Sequence, residues 1–168
     1  AGRLLGDVLH RRPITGTTAP NLLVGNPGAD TLNGGSGNDI LQGGADNDTL
    51  VGGTGDDSLS GDDGDDVFQY GASGDGYDSV AGGAGSDTII ATAANVWIGL
   101  RSLSGIESIS SGGYAGVTVW GSTGNDTLDF SGVTLSSITK IDGYDGNDSL
   151  IGSTGADTIN GGAGNDTL

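Results

Sequence analysis

The stretch Gly34-Gly-Ser-Gly-Asn-Asp-Ile-Leu-Gln42 is followed without a gap by Gly43–Val51, Gly52–Ser60 and Gly61–Gln69, four successive blocks of nine residues. The sixth position of each block is aspartate: Asp39, Asp48, Asp57 and Asp66. The eighth is large and apolar: Leu41, Leu50, Leu59 and Phe68. A repeat this short is one unit of a solenoid, because a single unit cannot bury an apolar face alone. An acid recurring in every unit predicts that the solenoid holds metal ions.

The frame extends both ways. Upstream, Gly25–Asn33 supplies Asp30 and Leu32. Downstream, after a slip of three residues at Tyr70–Ala72, Ser73–Ala81 supplies Asp78 and Val80, and Gly82–Ile90 supplies Asp87 and Ile89. The frame returns at Gly121–Asp129 with Asp126, and at Gly143–Ile151 with Asp148. Gly152–Asn160 with Asp157 and Gly161–Leu168 with Asp166 close the series. One match to such a pattern is weak, but eleven matches, mostly in tandem, decide the reading.

Composition agrees. The chain has 168 residues, 36 of them glycine, no cysteine, and a net charge of -17. Of its 22 acidic residues all but Glu107 are aspartate. A merely solvated acidic face uses both acids, whereas short carboxylates at fixed backbone positions are what a calcium loop needs. The charge argues against nucleic acid and anionic membrane as partners. No apolar run approaches the roughly 18–20 residues of a membrane-spanning helix, and without cysteine there is neither a disulfide framework nor a thiolate zinc site. His10 is the only histidine, so neither a zinc protease motif nor a Ser-His-Asp triad fits, and no GxSxG occurs. Paired carboxylates are abundant, but their periodicity favours ligation over glycosidase chemistry. The chain is therefore expected not to be an enzyme, with any catalytic domain outside it.

The apolar eighth position between polar seventh and ninth positions predicts a short strand of three residues with one side chain inward. The glycine-rich residues before it suit a tight turn. Nine residues make a turn and a strand, so two blocks make one coil. The expected fold is all-β, a right-handed parallel β-roll. Residues 18 apart then lie about 4.8 Å apart, and an ion between stacked turns reaches an oxygen in each. Asp30/Asp48, Asp39/Asp57, Asp48/Asp66 and Asp148/Asp166 have that spacing. Asp57/Asp78 and Asp66/Asp87 are 21 apart and are expected to stack across a bulged turn. One apolar side chain per nine residues is little to set against the entropy of ordering glycine-rich turns, and stacked carboxylates repel. The metal-free chain is expected to be disordered and the loaded chain folded.

Residues 21–90 and 121–168 carry the repeat and are read as one continuous roll. Residues 91–120 lack the aspartate but keep the apolar beat in Ile98, Leu100, Ile106, Ile109, Val117 and Val119. They are read as degenerate, metal-poor rungs, the alternative being a small inserted hairpin domain. Trp97, Tyr114 and Trp120 cover this part or form a contact surface. Residues 1–20 are a leader or cap, in which Leu4, Leu5, Val8 and Leu9 fit one face of a short helix. The tail of an upstream domain and a basic hook for an acidic neighbour are the other readings.

The nonapeptide, GGxGxDxUx with U large and apolar, resembles the RTX (repeats-in-toxin, haemolysin-type) calcium-binding repeat over Gly25–Ile90 and Gly121–Leu168. The resemblance implies several calcium ions between successive turns. It implies as ligands the carboxylates of Asp30, Asp39, Asp48, Asp57, Asp66, Asp78, Asp87, Asp126, Asp148, Asp157 and Asp166. It implies also the backbone carbonyls of the turn glycines Gly34, Gly37, Gly43, Gly52, Gly55, Gly61, Gly64, Gly82, Gly85, Gly161 and Gly164. Type I secretion and folding outside the cell come with it. Asp46 in a glycine slot is expected to be mildly strained, and Ser122 and Ser153 at the second position to be tolerated. Two functions follow: a calcium-binding module of a larger secreted protein, or a structural protein that self-associates through the ends of its solenoid.

Overall fold

The computed structural model describes residues 2–5 and 13–168, the first four by their backbone. Along the chain the described strands are β1 (Gly2–Leu5), β2 (Ile14–Thr15), β3 (Asn21–Pro27), β4 (Thr31–Ser36), β5 (Ile40–Ala45), β6 (Thr49–Thr54), β7 (Ser58–Asp63), β8 (Val67–Tyr70), β9 (Asp78–Ala84), β10 (Thr88–Ala91), β11 (Trp97–Ser104), β12 (Ser108–Ser110), β13 (Thr118–Trp120), β14 (Thr127–Asp129), β15 (Thr134–Ser136), β16 (Ile141–Asp142), β17 (Ser149–Ile151) and β18 (Ile159–Asn160). No helix occurs among the described residues.

Strands alternate between two sheets. One runs β1-β3-β5-β7-β9-β11-β13-β16-β18, with β14 and β17 joined to it through β11, and the other runs β15-β12-β10-β8-β6-β4-β2. Each coil places one strand in each sheet, and the described pairings are parallel. This is the β-solenoid expected of a nine-residue period with two blocks per coil. Register keeps like on like: Leu32 pairs with Leu50, Leu50 with Phe68, and Phe68 with Ile89. Opposite them Leu23, Leu41, Leu59 and Val80 form the second column. These side chains are buried and face each other in a narrow core.

The strands differ from expectation in length. Strands β4 to β7 run six residues each and extend into the first three positions of the following block. In β6 the burial alternates, so that Leu50 and Gly52 both face inward. The first glycine of each block is thus an interior residue. In the sequence its missing side chain hides the alternation, which is why the turn is expected to be longer and the strand shorter.

The middle of the chain belongs to the same stack. Strand β10 pairs with β12, and β12 with β15; β9 pairs with β11, and β11 with β13. Val96, Ile98, Leu100, Ile106, Ile109, Val117 and Val119 continue the core. A register shift between Leu100 and Ser102 absorbs the departure from nine. No antiparallel hairpin is inserted among the described residues. At the other end, Gly2–Leu5 is not the start of a helix but a strand paired with β3, Leu4 opposite Leu23. The edge of β3 offers a row of backbone partners that a single helical turn cannot match, since helix ends leave their backbone groups unpaired. Val8 and Leu9 lie outside the described residues.

Because the core is only two facing columns of side chains, one deletion has few neighbours to close over it. Leu50→Ala should cost about 2–5 kcal/mol, whereas Ile40→Ser, at a position 47% exposed, should stay within about 0.5 kcal/mol. Chemical denaturation of the two variants in calcium checks this.

Candidate metal centre

Asp30, Asp39, Asp48, Asp57, Asp66, Asp87, Asp126 and Asp148 stand one residue before their strands, Asp78 opens β9, and all nine are buried. In most coils the Oδ1 atom does one job. The amide N–H of Asp30 donates to Asp48 Oδ1 at 2.7 Å, that of Asp48 to Asp66 Oδ1 at 2.7 Å, and that of Asp66 to Asp87 Oδ1 at 2.9 Å. On the other sheet Asp39 donates to Asp57 at 2.7 Å and Asp57 to Asp78 at 2.9 Å. Near the C-terminal end Asp126 donates to Asp148 at 2.9 Å and Asp148 to Asp166 at 3.0 Å. Each of these acceptor carboxylates therefore reaches back one coil and satisfies an amide that a parallel ladder leaves open before the strand, whereas Asp126 and Asp157 Oδ1 accept from Ser122 and Ser153 Oγ. The pairs 21 apart keep this bond across the slip.

The second oxygen has no such partner. The Oδ2 atoms of Asp30, Asp39, Asp48, Asp57, Asp66, Asp87 and Asp148 are buried and accept no hydrogen bond. An unpaired buried carboxylate oxygen is costly. It is what a site for a cation looks like when described without one. The surroundings also fit an oxygen-seeking ion. A Cβ built on Gly121 would meet Asp126 Oδ2 at 2.8 Å and Gly143 O at 2.6 Å. The same pairing of a carboxylate oxygen with the carbonyl one coil on recurs at Gly25, Gly34, Gly43, Gly61, Gly82 and Gly143. The first position is glycine because any side chain would fill the space these oxygens share. Among the described residues no three His, Cys, Asp or Glu side chains converge, so backbone carbonyls must complete any site. That suits calcium, which takes six to eight oxygens including carbonyls.

The other turn glycines serve conformation. Gly37, Gly55, Gly64, Gly85 and Gly164, at the fourth position, have φ between 97° and 144°. Asp46 takes the same slot with φ 76°, the strained placement expected of it. Asp62 and Tyr144 do likewise at the second position, with φ 73° and 74°.

Four findings lie outside the sequence reading. Ser122 and Ser153 are not passive replacements. Ser122 N and Oγ donate to Asp126 Oδ2 at 2.6 and 3.1 Å, and Ser153 Oγ donates to Asp157 Oδ2 at 2.9 Å. Gly124 N and Gly155 N each donate to the serine hydroxyl at 3.1 Å, and neither glycine has the positive φ of its counterparts. Serine thus refolds the turn and supplies locally what Asp126 and Asp157 otherwise lack. Tyr70 Oη donates to Asp78 Oδ2 at 2.8 Å, the same satisfaction from the slipped turn. Glu107 Oε2 accepts from the amide of Asp87 at 2.7 Å, so the single glutamate stands in for a sixth-position aspartate. Its Glu107-Ser-Ile109 spacing carried that signal. Asn21, nine residues before Asp30, opens a further block: its amide donates to Asp39 Oδ1 at 2.7 Å.

A family model described as the RTX calcium-binding nonapeptide repeat matches residues 15–50, 42–76, 72–96, 111–132 and 140–168. The chain belongs to this family. RTX repeats bind calcium, and several copies in one β-solenoid mean several ions. The chain is a calcium-binding repeat module, and the match reaches into the degenerate middle and back to the block opened by Asn21. A search among curated proteins returns no match.

Burial also sets the charge of the metal-free carboxyls. It raises Asp48 to about 7, against the amide of Asp30 and with help from Asp66 and Asp30. It raises Asp57 to about 6 and Asp78 to about 7. Asp30, Asp39, Asp66, Asp87 and Asp126 shift the same way, burial first. A folded-state value above the unfolded one means that the coil holds more protons than the free chain. Its stability is then fullest below the ordinary carboxylate range near 4 and is lost as pH rises through about 7. In chelator the chain should be more compact at pH 4 than at pH 8 by size-exclusion chromatography. An equal radius at both would contradict these raised carboxyls.

Proposed function

We propose that this chain folds when calcium fills its stacked turns, and that it serves as a folding trigger, spacer or scaffold within a secreted protein. The observation that carries this is the set of buried Oδ2 atoms without partners, which recurs along both sheets. Asp30, Asp39, Asp48, Asp57, Asp66, Asp87 and Asp148 would hold the ions, with carbonyls of the glycine turns, among them Gly34, Gly43, Gly61 and Gly82. Asp78, Asp126 and Asp157, served by hydroxyls, would contribute weakly.

Bound calcium supplies the positive charge that lets neighbouring carboxylates stack. The chain's own residues do the rest. The amide-to-Oδ1 bonds fix each carboxylate, and the first-position glycines leave room beside it. The left-handed glycines turn the backbone so that carbonyls face the stack. Metal binding of this kind is folding free energy, because no preformed site exists in the free chain. Export unfolded, at low calcium, through a type I channel would follow, with folding in the millimolar calcium outside the cell. The family's usual occurrence in secreted proteins supports that location. Catalysis has no support in the residues themselves.

The test is the hydrodynamic radius from chelator to about 10 mM calcium, the range of extracellular modules. A fall to a compact value is expected. No change would overturn the reading, and large particles reversed by chelator would favour end-to-end assembly instead. Asp48→Asn keeps the Oδ1 acceptor and removes the unpartnered anionic oxygen. It should raise the calcium midpoint at least about tenfold, the equivalent of one lost charged contact, while Asp157→Asn should leave it within about twofold. Equal effects of the two would contradict the distinction between unpartnered and hydroxyl-bonded carboxylates.

A further inference from the structure

The outer face of the middle coils carries an aromatic column that calcium binding does not use. Trp97 and Trp120, the chain's two tryptophans, stack with ring centroids 4.9 Å apart and planes at 20°. Tyr144 lies against Trp120 at 5.5 Å. These residues sit on β11, β13 and the turn after β16, so the column climbs one coil at a time. Trp97 is 47% exposed. Such a column on a rigid sheet is fixed in place without side-chain ordering at the moment of binding.

Below the column the rings open into a hollow of about 220 Å³, lined by Tyr77, Trp97, Trp120, Gly74, Gly76, Gly99 and Asp56. Gly99 makes the hollow. It pairs with Trp120 across the sheet, and a Cβ there would meet Tyr77 Cδ1 at 3.3 Å as well as the Gly76 carbonyl. The walls are flat aromatic surface and the floor is glycine, with no aliphatic side chain. On the rim Asp56 Oδ2 accepts from Arg101 Nη2 at 2.7 Å, and Asp56 Oδ1 accepts from the amide of Tyr77 at 3.1 Å. Above, Lys140 pairs with Asp142 and lies 5.1 Å from the Trp120 ring. Arg101 and Lys140 are the only basic residues beyond Arg12. Both stand at this site, and both are neutralised by an aspartate.

We infer that this hollow binds a neutral pyranose ring of a glycan. A pyranose offers an apolar C–H face to an aromatic wall and hydroxyls at its edge. The rim supplies both a carboxylate acceptor and guanidinium donors, joined as an ion pair whose remaining lone pairs and N–H groups can meet hydroxyls. The volume lies below the roughly 300–1,000 Å³ of sites for drug-sized ligands and suits one ring. Other ligands of aromatic surfaces fit less well. A quaternary ammonium would meet aromatic faces here, but Asp56 is already paired with Arg101, whose charge repels it. A nucleobase brings phosphates toward a chain of net charge -17. An acidic sugar gains nothing from cations already paired.

The experiment is tryptophan fluorescence of the full chain in calcium, since both tryptophans report from the site. The probes are maltotriose, cellotriose and mannotriose, with tetramethylammonium chloride and trigalacturonate as comparators. At least one neutral trisaccharide should give a saturable change, with a dissociation constant on the order of 1 mM for a single-ring site. Trp97→Ala should weaken it about tenfold and Trp97→Phe should retain most of it, both at the wild-type hydrodynamic radius. Should Trp97→Ala fail to reach that radius, Asp56→Asn replaces it. Asparagine fills this fifth position in other blocks and keeps their inter-coil bond, as at Asn47, so folding is retained and sugar binding should weaken. No saturable response to any of the three sugars would overturn the inference. So would preference for tetramethylammonium or trigalacturonate, or sugar binding unchanged in folded Trp97→Ala or Asp56→Asn.

Discussion

The structure depends on one bond repeated along the stack, from the amide of a sixth-position aspartate to the Oδ1 of its counterpart one coil later. It fixes the start of each strand and sets the register of the next. It also commits one carboxylate oxygen and strands the other. A side chain with two equivalent acceptors and a single nearby donor leaves Oδ2 buried and bare in coil after coil. A protein interior pays heavily for that unless a cation arrives. On the proposed function, folding and metal binding would be one event, and the same residue would be both ladder element and ligand.

The exceptions follow the same logic. Where a hydroxyl reaches Oδ2, as from Tyr70, Ser122 or Ser153, the carboxylate already has a partner and would need an ion less. In the middle coils the aspartate is gone and the core is more apolar, with Ile98, Leu100, Val117 and Val119 buried. Hydrophobic burial takes over there from electrostatics. The roll thus joins ends that bury unpartnered carboxylate oxygens to a middle that stands on packing. It is this packed middle, with its own rigid face, that carries the aromatic column. Glycine is used in two ways: at the first position it leaves space for oxygens, and at the fourth it permits a left-handed turn.

Much of this was legible in the chain itself. Asp39, Asp48, Asp57 and Asp66 at a strict period fixed the solenoid, and Leu41, Leu50, Leu59 and Phe68 fixed its inward face. The separation of 18 residues identified which aspartates stack. Three things were not legible. Strand length was hidden because the interior residue at the first position is glycine and shows no hydropathy. The roles of Ser122 and Ser153 depend on a hydroxyl reaching back four residues and reshaping its turn, which spacing alone does not reveal. Glu107 and Asn21 occupy aspartate positions under other names, and a search for one residue type passes over them. The helix expected around Leu4 and Leu5 gave way, over the described residues, to a strand, because the open edge of β3 outweighs a local pattern of four residues.

The most direct measurement of the central claim is the location of calcium by anomalous diffraction from crystals grown in it. Ions should lie about 2.3–2.6 Å from the Oδ2 atoms of the seven aspartates whose second oxygen has no partner, with lower occupancy at Asp78, Asp126 and Asp157. Ions on the exposed carboxylates Asp62, Asp63 or Asp65, or equal occupancy beside Ser122 and Ser153, would contradict the account.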